Sequence, residues 1–476
     1  MLPTTPIYTA LTLYLQERGL RLHMPGHIGG KGTMPPELEA LISLDVTEVE
    51  GLDDLHLPQG VIAAAQRKLA LACGAAESFF LVNGATSGIQ ALFMSFAEND
   101  SIMVPRNAHR SFYGGMVLTG VNPIYIPCAV QPELGIGLGV QAEQIDNLLP
   151  LHKEVKGVFV TSPSYYGTCC DIAGIAAVVN KWEKMLMVDE AHGAHFPFHP
   201  FYPHPAVQDG AAAAVNGLHK TWPVLTQGAC LHLGKNFSNH GRLQEAYNIL
   251  TTTSPSYLLL ASIDLARDFM ERKGKDYLER SIAYACEFKT KLNMIKGIRC
   301  YDVELLNIPG VQALDPLKVL IGVRDLSLTG YQVARLLRDE YHIQVEMAEP
   351  DLILAMFSLL HDRADWEGFY LALRDIAGRY PAGGTAARPV CLPPPVPMAL
   401  TPRQAFFAAT EKIKLEASKG RIAGEMVAAY PPGIPCLLPG ELITGEVWEY
   451  INYLKTIGAP LQGPEEPELE HIKVLV

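Results

Sequence analysis

A chain of 476 residues, 49% hydrophobic and 18% charged, has an ordinary globular composition, with room for roughly two to four domains and a large core. Its net charge of −12 argues against nucleic acid or an anionic membrane surface as partner, and is compatible with a small cationic substrate. The nine cysteines are scattered and lack a C-x-x-C spacing, which predicts reduced thiols in a cytosolic protein; Met1 to Gly19 lacks the regions of a signal peptide, and no apolar run reaches the ~18 residues of a membrane span.

An amphipathic stretch, Ile7 to Arg18, precedes a loop rich in Gly and Pro, His23-Met24-Pro25-Gly26-His27-Ile28-Gly29-Gly30. Asp45-Val46-Thr47-Glu48 and Gly51-Leu52-Asp53-Asp54-Leu55 follow, within an N-terminal arm of residues 1–59. Helical spacing runs from Val61 to Cys73, and the apolar run Phe79 to Val82 predicts a strand. Gly88 to Glu98 predicts a helix; Ser101 to Val104, Pro123 to Pro127 and Gly157 to Thr161 predict strands. Ile172 to Lys184 predicts a helix, and Met185 to Val188 and Ala211 to Val215 predict strands. Short apolar strands alternating with helices predict an α/β domain with a mainly parallel sheet over residues 60–299. Its last part, Leu258 to Met294, reads as helical. Residues 300–380 read as a smaller α+β domain, 381–400 as a Pro-rich linker, and 401–476 as a C-terminal domain. The C-terminal part holds the loops Tyr430-Pro431-Pro432-Gly433-Ile434-Pro435 and Pro439-Gly440-Glu441, and there is no internal repeat.

Three segments carry chemistry. Asn83-Gly84-Ala85-Thr86-Ser87-Gly88 lies between a predicted strand and a predicted helix. A helix N-terminus offers free N–H groups and the positive end of its dipole to a phosphate, although Thr or Ser there also serves as a plain helix cap. In Met187-Val188-Asp189-Glu190-Ala191-His192-Gly193-Ala194-His195 an apolar strand runs into an acid at its C-terminal end, the edge where open α/β sheets bind ligands. Asp189 there suits a protonated pyridine nitrogen, and Ala191 is small enough to lie against a flat ring. Metal ligation by the same acids and histidines is the competing reading, but H-E-x-x-H spacing is absent and no metal is expected. In Asn216-Gly217-Leu218-His219-Lys220-Thr221 a lysine follows a strand end, where it can form a Schiff base; a lone lysine is more often a solvated charge. The order of phosphate-type turn, strand-end acid and strand-end lysine singles out Lys220.

These residues resemble the bacterial ornithine/lysine/arginine decarboxylases, pyridoxal 5′-phosphate (PLP) enzymes of fold type I, in particular the shorter group without an N-terminal wing domain. The resemblance covers essentially the whole chain. It rests on the three segments above, on His23 to His27, on Asp45 to Glu48 with Leu52 to Leu55, on Arg106-Asn107-Ala108-His109-Arg110-Ser111, on Leu225-Thr226-Gln227, and on the two C-terminal loops. It implies Lys220 as the Schiff-base lysine, Asp189 at the pyridine nitrogen and His109 stacked on the ring. Thr86, Ser87 and His219 would hold the phosphate, with His192 near ring or substrate and a catalytic role for Lys220, His192 and Asp189. The departures are Gly217, where the family usually has a serine that contacts phosphate, and Ile28, where a lysine is common.

The implied reaction is decarboxylation of a basic amino acid, arginine before lysine or ornithine, in a cytoplasmic homodimer or higher homo-oligomer with shared sites. The distal cationic group needs an acid, for which Glu441, Asp53, Asp54, Glu48 and Glu346 are candidates. An aminotransferase or lyase of the same fold would share the cofactor site; Arg335 and Arg338 would be the carboxylate ligands to look for. A non-catalytic relative would need neither Asp189 nor Lys220.

Overall fold

The computed structural model describes residues 3–30, 32, 35–131, 135–381, 396–429 and 434–476. The chain forms two compact units, each built from two segments: Met1–Ser95 with Met187–Asp276, and Phe96–Leu186 with Tyr277–Val476. Most of the 381–400 linker and Tyr430 to Gly433 of the Pro-rich loop lie outside the described residues.

In the first unit the helix Pro6–Gln16 starts on a proline, whose fixed φ and missing N–H suit a first turn, and buries Ile7 and Leu11. It is held to the helix Tyr257–Phe269, where Asp264 Oδ2 accepts from the Ile7 amide at 2.9 Å and Arg267 donates to the Thr4 carbonyl. The helix Val61–Cys73 has the span its periodicity predicts, and its Ile62, Ala65, Leu69 and Cys73 stripe is buried. Four strands lie side by side in the order Glu77–Leu81, Ala229–Leu233, Ala213–Asn216, Met185–Asp189. The last two are parallel; Ala229–Leu233 runs antiparallel to both of its neighbours.

That antiparallel strand has no counterpart in the sequence reading. Its apolar run is broken by His232, which is buried and neutralised by its surroundings: Nδ1 lies 2.6 Å from Ser78 Oγ, Nε2 3.1 Å from Cys230 Sγ, and burial pushes the imidazole down to about 4. The helix Gly84–Met94 closes on this sheet through Gly88, where a Cβ would meet Leu81 Cδ1 at 2.6 Å and Val215 Cγ1 at 3.0 Å.

In the second unit Val155–Thr161, Ser101–Pro105 and Asn122–Ile126 pair in parallel, in that order. A four-stranded antiparallel sheet follows in the order Arg299–Tyr301, Lys318–Gly322, Leu352–Met356, Met347–Glu349, accompanied by the helices Gly330–Tyr341 and Arg363–Arg379. The C-terminal part has its own core, around Val427, Leu437, Ile443, Val447, Ile451 and Val474. Its strands form a two-stranded and a three-stranded sheet, so it is a separate small domain within the unit. Among the described residues no helix is long and apolar enough to cross a membrane.

Candidate active site

The register of the first unit's sheet gathers the three predicted segments. Leu81 pairs with Ala229, Cys230 with Asn216, and Val215 with Asp189, so the turn after Leu81, the acid and the lysine segment all leave the same edge. Gly84 N donates to Gln227 O at 2.9 Å, tying the turn to the loop that follows the lysine. The helix begins at Gly84, four residues before the predicted start at Gly88, because Gly84 takes a φ of +68° that starts the first turn directly off the strand. Thr86 and Ser87 therefore sit in that first turn, among N–H groups with no intrahelical acceptor. Ser87 is buried, and its hydroxyl donates to Gly84 O at 2.9 Å.

Asp189 is 5% exposed, and its Oδ1 accepts from the Ala191 amide at 3.2 Å. Burial pushes its pKa up, while the Lys220 charge and the Ala191 N–H pull it back. Glu190, one residue on, serves another purpose: it accepts from Ala206 N at 2.9 Å and from Asn216 Nδ2 at 3.1 Å, and burial pushes it to about 8. Asn216 Nδ2 also reaches Glu190 O at 2.8 Å, so the ends of two strands are clamped together.

Lys220 lies on the short helix Leu218–Thr221, its amide donating to Gly217 O at 2.9 Å. Its Nζ is 2.9 Å from His192 Nε2. An ammonium only donates, so with Lys220 charged the imidazole accepts at Nε2 and carries its proton on Nδ1. His219 Nδ1 donates to Gly228 O at 3.0 Å; burial lowers its pKa, partly offset by that bond. Ala191 O accepts from Gly217 N at 3.2 Å, and a Cβ on Gly217 would come within 2.9 Å of that oxygen and 3.2 Å of Lys220 Cδ. Among the described residues the buried hydroxyl of Thr221, next to Lys220, has no hydrogen-bond partner, and sequence reasoning assigned it no role although it stands in the same motif.

The other predicted residues are placed as follows. His109 belongs to the second unit, where it caps the helix Arg110–Thr119; its Nδ1 accepts from Ser111 N at 3.2 Å. Asp53 is a helix cap: it accepts from Gln59, Gly60, Ile62 and Ala63 amides at 2.8–3.2 Å. Those four bonds give Asp53 a structural role beside the one expected of it toward substrate. Asp54 Oδ1 takes the His56 amide at 2.8 Å, and Glu48 is exposed. Glu346 is exposed, accepts from Tyr165 Oη, and lines a cavity of about 780 Å³ with His342, Gln344, Phe357 and His361. Glu441 is 1% exposed and paired with Arg106 at 2.9 Å, an internal ion pair.

The donor set fits PLP: a helix N-terminus with Thr86 and Ser87 for the phosphate, a buried carboxylate for the ring nitrogen, and a lysine beside it with an unmatched Thr221 hydroxyl close by. The fold and this site define a fold type I PLP enzyme. The solved lysine decarboxylase LdcF of Francisella novicida superposes with a TM-score of 0.86 at 20% identity, covering 100% of this chain and 81% of that one. The major domain of Orn/Lys/Arg decarboxylases matches residues 5–365, and their C-terminal domain matches residues 385–466. The chain belongs to the Orn/Lys/Arg decarboxylase family, PLP-dependent carboxy-lyases of basic amino acids. Curated relatives include the arginine decarboxylase of Bacillus subtilis strain 168, 38% identical over 99% of this chain and 98% of that one. The arginine decarboxylase of Bacillus anthracis is 35% identical, over 99% and 97%.

Proposed function

We propose that this enzyme decarboxylates arginine, and that Lys220, Asp189 and His192 carry the chemistry. The observation that supports the site is the 2.9 Å approach of Lys220 Nζ to His192 Nε2 at the sheet edge that ends in Asp189. The support for arginine is the full-length likeness to two arginine decarboxylases. PLP, bound through its aldehyde to Lys220, supplies the electron sink that accepts the pair left when CO₂ departs. Asp189 holds the proton on the ring nitrogen; its burial makes a neighbouring cation its natural partner. Thr86, Ser87 and the first turn of their helix would hold the phosphate together with His219, and Ala191 would leave room for the ring. His109 would stack on the ring, a role taken from the family resemblance. Lys220 or His192 would return the proton at Cα, since their nitrogens lie 2.9 Å from each other.

For the distal guanidinium we favour Glu346, the exposed acid on the large cavity, over Asp54. We take the working form to be a cytoplasmic homodimer or higher oligomer. Leu20, Leu22 and Leu57 of the N-terminal arm are 75%, 87% and 65% exposed, apolar surface that a second copy of this chain would cover. The test is a panel of arginine, lysine and ornithine with detection of CO₂, amine and keto acid. Agmatine and CO₂ from arginine are expected; a keto acid instead would sink the decarboxylase reading. Borohydride reduction and peptide mapping should find PLP on Lys220, and Lys220→Ala should abolish turnover and the visible absorbance of the bound cofactor.

A further inference from the structure

We infer that Glu441 is a positioning residue: through Arg106 it fixes the turn that carries His109. The inference rests on the reading of His109 as the residue that stacks on PLP.

Three residues separate the end of the strand Ser101–Pro105 from the helix cap His109. That turn has little slack. Arg106 N donates to Ile126 O at 3.1 Å, Ala108 N to Pro105 O at 3.2 Å, and Phe112 N to His109 O at 2.9 Å. The Arg106 side chain leaves this turn for the C-terminal domain. Its Nη1 donates to Pro435 O at 2.7 Å, and its Nη2 to Cys436 O at 3.3 Å and Glu441 Oε2 at 2.9 Å. Glu441 Oε2 also accepts from Leu438 N at 2.8 Å. The guanidinium lies over the Tyr125 ring, 5.6 Å from its centre. Three acceptors in fixed directions suit the planar fork of arginine and would not suit a single ammonium.

Two features separate this role from substrate binding. The side chains are 12% and 1% exposed, so no substrate reaches the acid from solvent. Glu441 Oε1 and Tyr125 Oη are both buried, and among the described residues neither has a hydrogen-bond partner; the acid is held in a closed nest rather than at an opening. Without its charge, Arg106 keeps only two carbonyl acceptors in a nearly dry site. Rehydration of the guanidinium then draws the turn, and His109 with it, out of place.

The test uses full-length Glu441→Gln and Arg106→Lys, the second keeping the charge in case the first does not fold. In cofactor-free protein, the rate of diethylpyrocarbonate modification of His109 is read by peptide mass mapping. In loaded protein, the absorbance maximum of bound PLP, its pH midpoint, kcat and KM are measured. Both variants should speed His109 modification several-fold, shift the absorbance and lower kcat, with little change in KM for arginine or lysine; Glu441→Asp should recover part of each. A fall in melting temperature alone, with the His109 rate and the spectrum unchanged, overturns the inference. So does a rise in KM for one substrate with kcat unchanged, which would make Glu441 a substrate ligand. If the wild type bound no PLP, the reading of the site would fail while the His109 rate still reported on the latch.

Discussion

Two adjacent acids have opposite fates in this structure. Asp189 ends its strand facing Lys220, and Glu190 turns into the protein to join Asn216 and Ala206. Successive side chains of a strand point to opposite faces, so one position decides which acid feels the Lys220 charge. The motif singled out Asp189, because an acid after an apolar strand marks the ligand edge; the burial of Glu190 was not legible, since its partners lie 16 and 26 residues away. Gly217 leads to a prediction against the family pattern. A serine there would add a phosphate donor, but its Cβ would press on Ala191 O and the Lys220 stem. Gly217→Ser should therefore weaken PLP binding, read by absorbance titration; tighter binding would show that the strand end yields. Asp53→Ala should cost about 2 kcal/mol by loss of a helix cap, seen in urea denaturation, and leave KM for arginine unchanged. A large KM change would favour the substrate role for Asp53.

At the scale of elements, the sequence served best where periodicity and burial agree. The helix Val61–Cys73 and the strand Ser101–Pro105 stand where their patterns place them, because each buries a regular face. The helical stretch after Leu258 is also present, but it passes through a π-turn, Met270–Gly274, between Tyr257–Phe269 and Lys275–Leu292. Just before that turn stands Arg267, 3% exposed in its side chain, which pairs with Asp264 at 3.1 Å and with Glu271 and also holds the Thr4 carbonyl. Removing one member of a buried pair leaves the other unmatched. Arg267→Met should lower stability by about 3–5 kcal/mol and release the helix Pro6–Gln16, detected by urea denaturation and hydrogen exchange. A loss below about 1 kcal/mol would mean that water or another donor replaces the guanidinium.

At the scale of the whole molecule, buried acids shape the response to pH. Burial pushes Glu190 to about 8 and Glu349, which accepts from Tyr166 Oη at 2.8 Å, to about 7. Both pKa values are raised in the fold, so unfolding releases a proton from each. Their contribution to stability is present in acid, is lost as pH rises from the ordinary carboxylate range through about 7 and 8, and is level above that. Urea midpoints measured across that range should fall with pH, and Glu190→Gln should flatten the slope; an unchanged slope would mean Glu190 is ionised in the fold. The path of the chain is the other property of this scale. It leaves the first unit after Ser95 and returns at Met187, so the turn at Thr86 and Ser87 is separated in sequence from Asp189 and Lys220, whose segments leave the same sheet edge. The sequence by itself determined the family, and it pointed to Lys220, Asp189 and the turn at Thr86 and Ser87 as the cofactor residues, because these readings depend on short motifs in a fixed order. Only the tertiary structure decided that Asp53 is a cap, that Glu441 is an internal ion pair with Arg106, and that a strand containing His232 completes the sheet edge. In each case the deciding partner lies elsewhere in the chain, and a side chain's role follows from whether its charge or polar group finds that partner away from water.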